Sequence, residues 1–470
     1  MKVLILEAST TSAKAMLYDT DTHQFRVKSK AYSIQYKDTS IHNAEDIYNY
    51  VIAVGKEILD GLTEVDMIAI SGTWHSVFLC DADNKSVTPV YLWSNTEASS
   101  LCKSFREDNK FVSEYYNRTG CMVNAIYPFF KLKLLQSRGY DLARYKVMGQ
   151  GTYICYRLTG KRVNTACMAS GTGLMNIYSG EYDSTLLKEL GISDQNLSEI
   201  VPYFKTYPLN GEAAEALGLQ PGIPVIPANS DGGLNQVGAG AVADGIMTFS
   251  AGTSGAIRLS TVKPTIPDTP STWCYKSPKN WLSGAATNGC TNCIDWIRER
   301  SGGKSYSELE ACAVDTVTNP VFLPFLFGER CPGWNDERKG GFFNIQPNHD
   351  IGDMYLSVQE GVLFNLYHCF EMLTAINGIP KHIRFSGGIL NSERWAQMCA
   401  DIFRQNLEVN ENEHSSLLGG AVLAMELLGV IEDCEHYVPQ VTRIIRPDFQ
   451  KAEFYAVKYR KYLECYNSGL

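Results

Sequence analysis

Two stretches of the chain, roughly 240 residues apart, share one pattern of apolar and polar positions. Residues 3–6 are apolar, residues 9–12 (Ser-Thr-Thr-Ser) are small hydroxyl residues, and the chain returns to mainly apolar residues through 18. Residues 245–260, GIMTFSAGTSGAIRLS, repeat this order. A short apolar run broken by Ser, Thr, Gly and Ala and then resumed predicts strand, turn, strand. The repeat predicts two lobes of similar size, each opening with its own hairpin. At 470 residues the chain exceeds one ordinary core, which agrees with a division into residues 1–240 and 241–470. Residues 67–70 and 224–228 read as further strands, 229–233 as a tight connection, and 234–242 as a helix of small residues. Near the end, Tyr455, Val457, Tyr459, Tyr462 and Leu463 alternate with Lys and Arg, predicting an amphipathic helix that packs on a lobe.

These elements place candidate chemistry. A turn of Gly, Ser and Thr leaves backbone N–H groups uncovered and adds hydroxyls, so it can wrap phosphate oxygens without much positive charge. Two such turns facing one another across a cleft could hold a polyphosphate. Asp231 stands where a strand hands over to a helix. There it either caps that helix or, kept ionised by the helix dipole, accepts a hydrogen bond from a substrate hydroxyl. A carboxylate beside a phosphate-gripping turn is the minimum equipment for phosphoryl transfer to an alcohol. Other nucleotide patterns fail: Gly302-Gly303-Lys304-Ser305 has Arg298 where a P-loop needs Gly, and Gly238-Ala239-Gly240 follows a helix rather than a strand. Helix packing through small residues explains the latter.

Composition narrows the partners. A net charge of −9 disfavours nucleic acid and anionic membranes. No apolar run approaches a membrane span, and the first residues do not read as a signal peptide. Fourteen cysteines without a secretory signal point to buried thiols and to the cytoplasm. Cys290 and Cys293 form a lone CxxC with no second ligand pair, so they read as thiols near a helix start. The sequence leaves oligomeric state open, with a homodimer compatible.

Several motifs, in order, resemble the FGGY carbohydrate kinases, which include xylulose, gluconate and glycerol kinases. They are Ser250-Ala-Gly-Thr-Ser-Gly255, Asp231 in Ser-Asp-Gly-Gly, the loop from Phe322 through Arg330 to Phe343, and Ser386-Gly-Gly388 with Trp395 and Asp401. The likeness spans nearly the whole chain. It implies an α/β fold of two ribonuclease-H-like lobes, shared with actin, Hsp70 and hexokinase, flanking a deep cleft. The sugar would be held mainly by the first lobe and ATP mainly by the second, with Mg²⁺ as cofactor. It implies Asp231 as general base. Thr10, Thr11, Ser12, Lys14, Gly252 and Thr253 would lie at the phosphates, and Gly387, Gly388 and Asn391 at the adenine side. Ser71-Gly-Thr-Trp-His-Ser76 resembles the sugar-side segment: Trp74 offers a flat apolar face and His75 hydrogen bonds for hydroxyls. Asn95 in Tyr91-Leu-Trp-Ser-Asn95 stands where relatives place an acid, and 127–131 reads as wall.

Two positions depart from the family pattern. Glu7 stands for the usual Asp and Ser9 for the usual Gly, so Glu7 would hold Mg²⁺ through water only by shifting the metal or drawing back. The leading expectation is an ATP- and Mg²⁺-dependent kinase for a small sugar or sugar acid, xylulose- or gluconate-like. Its rivals are a non-catalytic sugar sensor of the same fold and, more weakly, an Hsp70-like ATPase.

Overall fold

The Lys2–Ala8 strand is buried from Val3 onward because helices cover both faces of its sheet. On one face Leu4 and Leu6 pack with Val51 and Val54 of the Ala44–Leu59 helix; on the other Val3 and Ile5 pack with Leu417 and Ala421. The computed structural model of the chain describes residues 1–33, 38–410 and 414–468. Its first large sheet has the order Tyr207–Pro208, Pro224–Ser230, Met67–Gly72, Lys2–Ala8, Ser12–Asp19, Phe25–Ala31. The second has the order Trp273–Lys276, Trp281–Thr287, Gly255–Thr261, Ile246–Ala251, His382–Ser386, Leu407–Val409, Arg443–Ile445.

The two sheets share a topology. In each, the first strand turns back as an antiparallel hairpin, a further strand pairs antiparallel with the second, and a later strand joins the first in parallel. Both expected hairpins are present, with Ala8 opposite Ala13 and Ala251 opposite Gly255 closing the turns.

The lobes meet where helix Asp231–Gly238 crosses helix Ser415–Leu427. A Cβ on Gly238 would lie 2.0 Å from the Ser415 carbonyl oxygen, and one on Gly419 would lie 2.0 Å from that of Leu234. The small residues near Gly238 therefore serve backbone-to-backbone packing, as the sequence predicts. The later helix belongs to the second half of the chain yet lies on the first sheet, where Gly420 faces Ile5. A boundary at 240/241 falls in the connection before strand Ile246–Ala251.

The terminal helix, Phe449–Asn467, packs Tyr459 and Tyr462 against Phe364 of helix Ile351–Asn377, and Lys458 forms a buried ion pair with Glu360. All fourteen cysteines are free thiols, Cys290 and Cys293 buried among them. Among the described residues no helix is long and apolar enough to cross a membrane.

Candidate active site

A cavity of about 410 Å³ opens between the two sheets, lined by both hairpins, residues 73–75, and the start of helix Asp231–Gly238. Strand register builds its floor. Glu7 stands opposite Lys14 on one side and Ser71 on the other, so the three side chains share a face. Lys14 Nζ lies 3.1 Å from Glu7 Oε1, Ser71 Oγ donates to Glu7 Oε2 at 2.9 Å, and Ser416 Oγ donates to the same oxygen. Glu7 is thus 2% exposed and fully partnered.

Within the first turn the hydroxyls divide their work. Ser9 Oγ donates to the Ser12 carbonyl at 2.7 Å and accepts from Ser12 N at 3.2 Å, so these two shape the turn. Thr10 faces the cavity and its Oγ1 accepts from Trp93 Nε1 at 2.9 Å. Thr11 is exposed at the tip and borders a second hollow behind the turn.

On the second hairpin, Ser250, Ser254, Ala256 and Arg258 line the cavity while Ile257 and Leu259 face the core, the alternation of a half-buried strand. Gly252, Thr253, Gly387, Gly388 and Asn391 lie outside this lining. The glycines gather beside the start of helix Thr291–Glu299: Gly252 O accepts from Thr291 N at 2.9 Å, and a Cβ on Gly388 would lie 3.4 Å from Thr291 Cγ2. Gly387 has φ 111°, and a Cβ there would lie 2.4 Å from the Ala251 carbonyl oxygen, so only glycine lets the loop lie against the turn. Thr253 and Asn391 are exposed nearby.

Asp231 is the first residue of its helix, and the cap is Ser230, whose Oγ accepts from Gly233 N at 2.9 Å. Capping therefore does not explain Asp231. The strand also runs to Ser230 and the helix starts at Asp231, earlier than the sequence predicts, because the Ser230 hydroxyl supplies the cap directly. Burial, followed by the nearby Glu7 charge, raises the Asp231 carboxyl to about 6, against the lowering by the Gly232 amide. The expected stabilisation of its charge by the helix start is outweighed.

His75 and Trp74 form the opposite wall. His75 is held at φ 62°, and its Nδ1 faces the Gly171 carbonyl, an acceptor only, so Nδ1 carries the proton. Burial pushes the imidazole down to about 3, leaving it neutral with Nε2 as an acceptor. Trp74 Nε1 donates to Cys167 O at 2.8 Å, and its ring centroid lies 5.0 Å from that of Tyr275. A Cβ on Gly171 would come within 2.5 Å of the Trp74 ring, so glycine there admits the indole.

Asn95 is placed elsewhere. It is 1% exposed, lies outside the cavity lining, and donates to Ser40 Oγ at 3.0 Å and to Glu97 Oε1 at 2.9 Å. Its amide braces a loop rather than facing the cavity, because Glu97 supplies a carboxylate partner two residues away. Arg258, Tyr275, Asn235 and Ser416 also line the cavity, as does Arg330 of the 322–343 loop, and no local motif gives any of them a site role. Alternation in 255–261 was the available signal for Arg258; Ser416 comes from a distant helix and left none.

Residues 2–238 match the family model for the N-terminal domain of the FGGY family of carbohydrate kinases, and residues 247–427 match its C-terminal domain. A gluconokinase of Bacillus subtilis (strain 168) is 29% identical over 453 residues, covering 92% of this chain and 88% of that protein. A xylulose kinase of Escherichia coli (strain K12) is 26% identical, covering 87% of this chain and 86% of the relative. The crystal structure of a gluconate kinase from Lactobacillus acidophilus superposes with a TM-score of 0.94 at 27% identity, covering 100% of this chain and 98% of that one. With both lobes matched in order and the duplicated hairpins in place, this chain belongs to the FGGY family of carbohydrate kinases and is a phosphotransferase.

Proposed function

We propose that the cavity transfers the γ-phosphoryl group of ATP to a hydroxyl of a small sugar or sugar acid, with Asp231 as general base. The observation that carries this reading is Asp231 itself, a carboxyl raised to about 6 in a cavity bordered by both glycine- and hydroxyl-rich turns. At neutral pH it is mostly ionised yet basic enough to take a proton. In the step, the substrate oxygen bonds to the γ-phosphorus, the bond from that phosphorus to the ADP oxygen breaks, and the hydroxyl proton passes to Asp231. Positioning supplies most of the rate. His75 Nε2 accepts from a substrate hydroxyl, Trp74 covers the sugar's C–H face, and Thr10, Ser250 and Ser254 face the phosphates from the two turns.

The donor set suits a hard cation, since two carboxylates, Glu7 and Asp231, and the Ser9 and Thr10 hydroxyls border one cavity. Glu7 would hold Mg²⁺ through its water shell, and the ion would neutralise phosphate charge. A sensor without catalysis draws its support from Glu7, whose two oxygens already serve Lys14, Ser71 and Ser416. Calorimetry with Mg·ATP separates the two: binding supports the kinase, and sugar binding without any nucleotide binding supports the sensor. Asp231→Ala should lower sugar-dependent ADP release roughly 10²–10⁴-fold. An unchanged rate would remove Asp231 from this role.

A further inference from the structure

Among the described residues, the cavity carries more positive charge than its own carboxylates answer. Lys14 is paired with Glu7, which leaves Asp231, among those residues, as the one carboxylate facing two guanidiniums, those of Arg258 and Arg330. Neither arginine has a carboxylate within ion-pair distance among the described residues, and the Nε of each is buried without a hydrogen-bond partner. The acids nearest Arg330 in sequence are committed elsewhere: Glu329 pairs with Arg338 at 3.1 Å and accepts from Tyr466 at 2.6 Å, and Asp336 pairs with Arg106 at 3.5 Å. Among the described residues Arg330 forms no ion pair, and the Trp334 ring lies 5.9 Å from its guanidinium. Two like charges lining one cavity repel, and Arg330 opposes the charge of Arg258. A planar fork with an unused Nε–H is the group that best receives a carboxylate in two-point contact.

Position argues that this anion belongs to the acceptor and not to the nucleotide. Arg258 lies four residues beyond Ser254, about 13 Å along the strand from the phosphate turn. It lines the cavity together with Trp273 and Tyr275, the aromatic wall that stacks toward Trp74.

We propose that Arg258, with Arg330 beside it, receives the carboxylate of the acceptor substrate, so that the site selects an aldonate over a neutral ketose of similar size. This rests on the kinase reading only for the identity of the reaction; the binding preference can be measured without turnover. The unpaired guanidiniums make a neutral sugar the poorer ligand, because it leaves their charge unanswered.

The test is calorimetric titration of the nucleotide-free protein with D-gluconate and with D-xylulose, at low and high salt, for the unaltered chain, Arg258→Gln and Arg258→Lys. The expected result is tighter binding of gluconate, weakened by salt, with the gluconate-to-xylulose affinity ratio falling roughly 10- to 100-fold in Arg258→Gln and partly recovered in Arg258→Lys. Arg330→Gln serves as the second variant if Arg258→Gln does not fold, and the same fall in ratio is expected. Two outcomes overturn the proposal: equal or tighter binding of xylulose by the unaltered chain, or a gluconate-to-xylulose ratio unmoved by the substitution. Gluconate binding with the predicted ratio but no ADP release would overturn the kinase reading alone.

Discussion

Lys14 Nζ sits 3.1 Å from Glu7 Oε1 because the first hairpin places the two residues directly opposite one another. The longer Glu side chain thereby keeps a lysine, two serine hydroxyls and the cavity within reach at once. It also places a second negative charge near Asp231, which contributes to the raised Asp231 carboxyl.

Glu7→Gln keeps the shape and removes that charge. The expected outcome is weaker Mg²⁺ dependence of nucleotide binding together with a lower Asp231 pKa. A pH–rate profile should therefore show its acid limb moving to lower pH, while the KM for Mg·ATP rises. An acid limb at the same pH in both proteins would mean that the two carboxylates do not communicate.

With Asp231 as the proposed general base, activity should fall as pH drops through about 6, since a protonated carboxyl cannot take the hydroxyl proton. The stability consequence has the opposite direction. Asp231 binds its proton more tightly folded, at about 6, than unfolded, at 3.8, so its contribution to stability is complete below 3.8 and is lost as pH rises through about 6. Asp231→Asn should accordingly raise stability at pH 8 by no more than about 3 kcal/mol, seen as a higher Tm, and leave Tm unchanged near pH 3.5. Activity should fall roughly 10²–10⁴-fold in the same variant. Thermal melts at the two pH values check the sign.

Gly387→Ala would force a side chain into φ 111° and against the Ala251 carbonyl. The turn at 251–255 must then move. The expected reading is a several-fold higher KM for ATP with little change in the sugar KM, since Gly387 lies outside the cavity lining that holds residues 73–75, the proposed sugar wall. An unchanged KM for ATP would place the nucleotide away from Gly387.

His75 is buried and neutral, with its pKa near 3 against 6.5 in the unfolded chain. Folding therefore holds fewer protons there, and this contribution to stability is lost as pH falls from about 6.5 toward 3. His75→Gln should flatten that part of the acid unfolding curve and raise the sugar KM at least several-fold. A variant whose acid unfolding curve overlays that of the unaltered chain would refute the assignment.

Much of this arrangement was legible in the sequence because strand alternation and turn composition are local. The two hairpins, Asp231 at a strand-to-helix junction, and the terminal helix all follow from patterns within about twenty residues. What stayed hidden depends on contacts between distant segments. Ser416 reaches Glu7 from a helix near the end of the chain, and Asn95, a buried amide, turns to Ser40 and Glu97 instead of the cavity. The raised Asp231 carboxyl could not be read locally either. Its helix position argues for easy ionisation, and only the enclosure and Glu7 reverse that.

The most direct test of the central claim is ADP release by the purified chain with Mg·ATP, against a panel of aldonates and ketoses, for the unaltered protein and Asp231→Asn. Sugar-dependent release that falls roughly 10²–10⁴-fold in the variant is the predicted result. Equal rates in the two proteins, or release indifferent to every sugar, would contradict it.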